Sequence, residues 1–165
     1  MDSIRQIFSF PNPVNEYSAR LVAGMVVALS LAAIITEQPV LFVLLAYGFL
    51  ARVATGPTLS PMGLLATRVI VPALGNPSRP VPGPPKRFAQ TVGLAFSVTA
   101  LVLLFALDSA LAARSVLAVL TLFASLEAFA GFCAGCFVFG YLIRWGIIPE
   151  AVCQECIVSL EPTTV

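Results

Sequence analysis

The apolar residues of this chain are gathered into runs long enough to cross a lipid bilayer. Hydrophobic residues make up 59% of the sequence and charged residues only 10%, whereas a typical soluble domain carries about 25% charged residues. A chain of 165 residues with this composition has too little polar surface to coat a water-soluble globule. The sequence therefore predicts one membrane domain that includes residues 1–165.

Four segments contain the roughly 20 apolar residues that a hydrocarbon core requires per helix. They predict an all-α, four-helix transmembrane bundle with spans at about residues 17–36, 39–55, 88–107 and 115–143. Asn15 and Glu16 are candidate capping residues for the first span. Residues 144–165 form a C-terminal tail that contains two cysteines.

Residues 56–87 form the predicted loop between spans two and three. Within this loop, residues 61–71 are too short to cross the membrane and predict an interfacial helix with Arg68 on its wet face. Residues 75–87 are rich in proline, which fixes φ and removes a hydrogen-bond donor. This second part therefore predicts a stiff, extended, non-helical segment that can present a fixed docking surface.

The basic residues indicate how the spans are oriented. Eight of the nine fall on one side of the four-span arrangement, and only Arg114 falls on the other. Because cytoplasmic loops carry an excess of Lys and Arg, both termini are predicted to lie in the cytoplasm, with the protein in the cell (inner) membrane. Arg20 and Arg52 lie near span ends and are expected to snorkel towards water. The net charge of +1 gives no basic surface for nucleic acid.

All four cysteines lie near the C-terminus in two Cys-x-x-Cys pairs, Cys133 with Cys136 and Cys153 with Cys156. Such grouping is typical of redox relays and metal sites. In a redox relay, the tail pair would be the exposed dithiol that meets a soluble partner. The pair in span four would pass electrons or sulfur to a membrane acceptor such as a quinone, with Arg144 and Lys86 nearby.

Two other interpretations of the cysteines remain open. The same four thiolates fit the usual spacing of a tetrahedral zinc site, which would be structural because no ligand position stays open. An iron–sulfur cluster uses the same ligands. Alternatively, Cys133 and Cys136 are small packing residues beside the Gly131-x3-Gly135 motif, which favours close helix–helix contact and permits oligomers.

Other polar residues extend the candidate site. Glu127 lies near the middle of span four, where a carboxyl group is expected to be protonated or paired. It could exchange protons with a quinone or the thiols, or simply hydrogen-bond to Ser30, Ser97 or Thr99. Lys86, Arg87 and Gln90 lie at the start of span three, where they could bind a sulfur-compound anion or anchor the chain to lipid phosphates.

Several strings in the chain resemble a family of small bacterial, often actinobacterial, membrane proteins called domain of unknown function 4395. The most specific string is Pro-Gly-Pro-Pro-Lys-Arg-Phe-Ala-Gln at residues 82–90. Residues 13–20, 56–61, 68–72 and 132–136 are similar to that family as well. The resemblance implies a sulfur or thiol role with a thioredoxin-like or sulfurtransferase-like partner, by association only. Whether the protein is an enzyme or a subunit of a larger membrane complex stays open.

Overall fold

The chain folds into helices joined by short connections. The structure is a computed structural model and describes residues 10–149, so Cys153 and Cys156 lie outside the described residues. Within this range there are six helices and two short strands, which confirms the all-α prediction. The helices are α1 (Glu16–Thr36), α2 (Pro39–Thr55), α3 (Pro61–Ala73), α4 (Gly83–Phe105), α5 (Ala110–Ala130) and α6 (Ala134–Arg144). Strand β1 (Val14–Asn15) pairs antiparallel with β2 (Pro80–Val81).

Helices α1, α2, α4 and α5 pack around one apolar core. Phe42, Leu45 and Leu117 are among its largest fully buried side chains. The outer faces of these helices are apolar too, as Ile35 and Phe129 show with 77% of their surface exposed. A soluble monomer rarely exposes so much contiguous apolar surface, so lipid is the natural solvent for this exterior.

Three helices, α1, α4 and α5, are long and apolar enough to cross a membrane. Helix α2 is also apolar but has 17 residues, and α3 and α6 are shorter still. The boundaries predicted for the first two spans match α1 and α2. Asn15 caps α1 by accepting a hydrogen bond from the backbone N–H of Tyr17.

The proline-rich segment is less extended than the sequence predicts. Helix α4 begins at Gly83 rather than near residue 88. Pro84 and Pro85 fit its first turn, because backbone N–H groups there have no partner within the helix. Only Pro80–Val81 is extended and paired. The helix predicted at residues 61–71 is present as α3, which contains a π-helical stretch (Leu65–Ile70) and leaves Arg68 exposed.

The prediction of one continuous helix over residues 115–143 is wrong. Helix α5 begins at Ala110 and ends at Ala130 in a π-helical stretch. Gly131 then adopts a left-handed conformation with φ 69°, and a new helix starts at Ala134. Gly131 and Gly135 therefore do not share a helix face. Gly135 does pack closely, since a Cβ there would lie 2.7 Å from Ala89 Cα.

Replacing Gly131 with Ala should destabilise the protein by about 1 to 2 kcal/mol, because a left-handed conformation is costly for a residue with a Cβ. Thermal unfolding in mild detergent would measure the change. Gly24→Ala is the matched control, since Gly24 is helical and a Cβ there meets nothing within 4 Å. It should be neutral or stabilising. Equal destabilisation by both changes would contradict the role assigned to Gly131.

Candidate thiol–disulfide site

Cys133 and Cys136 lie at the start of α6, rather than in the middle of a transmembrane helix. Cys133 is the N-cap residue, and its Sγ accepts a hydrogen bond from the backbone N–H of Cys136 at 3.2 Å. The two residues form a disulfide, with 5.2 Å between their Cα atoms. Both are half-buried. Because unpaired N–H groups and the helix dipole favour negative charge at this end, this position stabilises a thiolate on Cys133.

The break at Gly131 positions the cysteine pair. Arg20 on α1 donates from Nε to the carbonyl oxygen of Ala128 at 3.2 Å and from Nη2 to that of Phe129 at 2.9 Å. These carbonyl groups belong to the last turn of α5, where the helix itself supplies no donors. Arg20 thus stabilises the end of α5. It is partly buried and bonded to backbone rather than snorkelling to water.

A cleft of about 420 Å³ lies beside the disulfide. The wall of this cleft includes both cysteines, Cys133 and Cys136, and three charged residues, Lys86, Arg144 and Glu16. The structure therefore brings together both cysteines and the two cations that the sequence suggested as neighbours. Positive charge beside a dithiol favours its thiolate form.

Lys86 and Glu127 form a buried ion pair next to this cleft. Lys86 Nζ lies 2.6 Å from Glu127 Oε1, and the two side chains are 9% and 13% exposed. Glu127 is thus paired, as the sequence predicted, but with Lys86 rather than with Ser30, Ser97 or Thr99. Sequence reasoning missed this pair because the partners lie 41 residues apart on different helices.

A second cavity of about 280 Å³ lies inside the bundle and is mostly apolar. Aromatic side chains supply much of its wall, and Glu127 and Cys133 both reach it. A straight helix would have placed Glu127 well away from the thiols. The turn at Gly131 removes that separation, because the chain leaves the helix before Cys133. A cavity of this character suits a planar, apolar molecule.

The three residues suggested for anion binding do not converge on one site. Lys86 is paired with Glu127, and Gln90 Oε1 accepts a hydrogen bond from Arg52 Nε at 2.8 Å. Arg87 is exposed and donates from Nε to the carbonyl oxygen of Val53 at 3.2 Å. Lys86 and Gln90 share a small cavity, which Arg87 does not reach.

Arg52 is a second residue whose role the sequence analysis misjudged. It is 4% exposed, so it does not snorkel. Its guanidinium lies 4.5 Å from the centre of the Phe49 ring and bonds to Gln90. An arginine inside an otherwise apolar segment is itself a signal of function, and that signal was available in the sequence.

Within residues 10–149, no three side chains of Cys, Asp or Glu are grouped closely enough to hold a metal ion. The chain has no histidine. The zinc interpretation requires Cys153 and Cys156, which lie outside this range, so it stays a prediction. The proposed exposed dithiol in the tail stays a prediction for the same reason.

Breaking the Lys86–Glu127 pair should destabilise the protein strongly. Lys86→Met leaves a buried carboxylate without its partner, which costs about 3 to 5 kcal/mol in comparable cases. Adding Glu127→Gln to this variant should recover part of the loss, because both charges are then gone. Unfolding in detergent would measure the stability of both variants against the wild type.

The control is the ion pair between Arg114 and Glu37, whose side chains are 34% and 53% exposed. Arg114→Gln should cost less than about 1 kcal/mol, since exposed pairs contribute little. A Lys86→Met variant as stable as this control would show that the buried pair does not hold α4 against α5.

Comparison with known proteins identifies a family and no activity. The family model described as Domain of unknown function (DUF4395) matches residues 14–144. No curated protein and no solved structure matches the chain. The matched region contains all six helices and the Cys133–Cys136 pair. Since the match covers well over half of the sequence, the chain belongs to the domain of unknown function 4395 family.

Proposed function

We propose that this protein is a membrane thiol–disulfide protein that exchanges electrons or sulfur between a cytoplasmic partner and an acceptor in the membrane. The observation that carries the proposal is the position of Cys133. Its sulfur caps a helix and accepts the N–H of Cys136, the residue with which it forms a disulfide. A structural disulfide does not need this placement, whereas a reactive one benefits because the N-terminus stabilises the leaving or attacking thiolate.

The exchange reaction balances as a two-electron step. A dithiol on the partner reduces the Cys133–Cys136 disulfide: one partner thiolate attacks a sulfur and forms a mixed disulfide, which the second partner thiol resolves. The partner leaves oxidised, and this chain holds two thiols. Reoxidation of Cys133 and Cys136 then releases two electrons and two protons to an acceptor.

A quinone is the acceptor class that the apolar cavity suits, because it takes up two electrons and two protons. The cavity beside Cys133 has the apolar, aromatic lining that a quinone ring would require. Glu127 on its wall offers a carboxyl group for proton transfer once Lys86 releases it. If sulfur rather than electrons were transferred, one thiolate of the reduced pair would instead attack the outer sulfur of a persulfide on a sulfurtransferase-like partner. The S–S bond of that persulfide breaks, the partner leaves as a thiol, and this chain holds the persulfide.

The proposed setting is the cell membrane, with α1, α2, α4 and α5 as four spans. Helix α2 has 17 residues, about 25 Å at 1.5 Å per residue, which lies at the short end of spanning lengths. Contacts place Arg20, Arg52 and Lys86 at one end of the bundle and the Arg114–Glu37 pair at the other. The positive-inside rule assigns the first end to the cytoplasm.

In this arrangement Cys153 and Cys156 form the exposed dithiol in the cytoplasmic tail. They receive electrons or sulfur from a thioredoxin-like or sulfurtransferase-like protein and pass them to Cys133 and Cys136. The cleft beside the inner pair is lined by Arg144, whose positive charge favours thiolates during transfer. Lys86 also lines it, but its charge is paired with Glu127. The protein works alone, as an oligomer or as a subunit of a larger membrane complex.

Reduced Cys133 should react faster than reduced Cys136. Its sulfur accepts an N–H at the helix N-terminus, so a larger fraction is thiolate at neutral pH. In a background with Cys153 and Cys156 changed to Ser, the Cys136→Ser and Cys133→Ser variants each leave one thiol. Alkylation with iodoacetamide should be at least about fivefold faster for Cys133, given that thiolate is the nucleophile. Equal rates would contradict the assigned role.

Two measurements on one anaerobically purified sample distinguish thiol exchange from a structural zinc site. They are the metal content and the number of free thiols per chain. Without metal, oxidised thioredoxin should lower the free thiols from four to two or fewer per chain, and reduced thioredoxin should restore them. About one zinc per chain, with four masked thiols, would instead establish a structural subunit and end the redox proposal. The Cys133→Ser variant is the control, because it removes one ligand or one redox partner.

A further inference from the structure

Arg52 has an unpaired end in the interior of the protein. Its Nε donates to Gln90 Oε1 at 2.8 Å, and its Nη1 lies 3.4 Å from Ser60 Oγ. Nη2 is buried and has no hydrogen-bond partner among the described residues. A buried, unsatisfied donor on a charged group is costly. Nε and Nη1 thus hold the guanidinium in place, and the N–H donors of Nη2 are left without an acceptor among the described residues.

Among residues 10–149, the positive charge around Arg52 exceeds the negative charge. Arg52 and Lys86 are 4% and 7% exposed, so two positive charges lie in the interior. Glu127 is the carboxylate whose charge acts on Arg52, but it is already paired with Lys86 at 2.6 Å. Glu16 is engaged by Arg79 at 3.0 Å. Within the described part of the chain, one excess positive charge therefore remains at the unpaired Nη2.

A cavity of about 190 Å³ adjoins Arg52. Lys86 and Gln90 also line it, and both side chains carry N–H donors. Gln90 Oε1 already accepts a hydrogen bond from Arg52 Nε. The amide nitrogen of Gln90 is therefore the group that this side chain can offer to a ligand. Most of the remaining wall is apolar, with Val22, Ala19 and Phe10 among its residues.

We propose that this cavity binds the anionic group of a small or amphiphilic ligand, a carboxylate or a phosphate, on Arg52 Nη2. The N–H donors of Nη2 can bond an oxygen of either group, and the charge on both partners strengthens such a bond. Bound there, the anion neutralises the excess charge and satisfies the unpaired donor. The apolar wall accommodates a short organic portion of the ligand. The group belongs either to a soluble anion or to the headgroup of an anionic lipid.

Anion binding is tested by thermal unfolding of delipidated protein in a neutral detergent. Sodium phosphate and sodium acetate are titrated at constant ionic strength, which is maintained with sodium chloride. At least one of the two should raise the unfolding temperature of the wild type with saturation. In Arg52→Met the apparent affinity should fall by about tenfold or more, since a charge-assisted bond is lost. Arg52→Lys keeps the positive charge but not the planar guanidinium. It is the test variant if Arg52→Met does not fold.

Arg87→Gln is the matched control. Arg87 lies at the same end of the bundle but is exposed and does not reach this cavity, so its removal should leave the affinity unchanged. The absence of a saturable effect in the wild type overturns the proposal. The same affinity in the wild type and both Arg52 variants, or a loss in Arg87→Gln instead, also overturns it.

Two further arms identify the source of the anion and separate this proposal from the thiol chemistry. Native mass spectrometry after reconstitution with phosphatidylglycerol should detect lipid retained by the wild type and lost in Arg52→Met if the source is a headgroup. If the source is a soluble anion, phosphate or acetate stabilises the protein equally with or without that lipid. The Cys133→Ser, Cys136→Ser double variant should keep the anion response, because the site does not depend on the thiols.

Discussion

The buried ion pair between Lys86 and Glu127 is the interaction on which the functional end of this protein depends. Two charges in a region of low dielectric attract each other strongly, and either one alone would be costly. The pair ties the first turn of α4 to the last turns of α5 at 2.6 Å. Both cavities that reach Cys133 have one member of the pair in their walls. The pair therefore determines the geometry around the disulfide.

The end of α5 is the second constraint, and it follows from backbone chemistry. A helix that stops inside a protein leaves carbonyl groups without donors. Arg20 supplies those donors from α1, and the left-handed Gly131 turns the chain away. The new helix that begins after Cys133 then has its own unpaired N–H groups, one of which the cysteine sulfur accepts. Ending one helix and starting another thus creates a position where a thiolate is favoured.

The buried charged groups of the described interior are concentrated at one end of the bundle. These charged residues come from four different helices: Arg20 from α1, Arg52 from α2, Lys86 from α4 and Glu127 from the end of α5. Charged groups at membrane depth are costly and persist where they serve a site. Lys86 lines both the cavity beside Arg52 and the cleft beside the disulfide, which links the proposed anion site to the proposed thiol exchange.

The sequence by itself determined the helical class, the apolar exterior and the limits of α1 and α2, because these depend on local composition and on Asn15 and Pro39 near the helix starts. Only the tertiary structure decided where α5 ends, since a left-handed Gly131 is stable there through contacts with α1. The start of α4 at Gly83 was not predicted, because the prolines at residues 84 and 85 indicated an extended chain. Prolines also fit the first turn of a helix. The pairing of Lys86 with Glu127 and the burial of Arg52 needed the packed helices, because residues distant in sequence meet only after the chain folds.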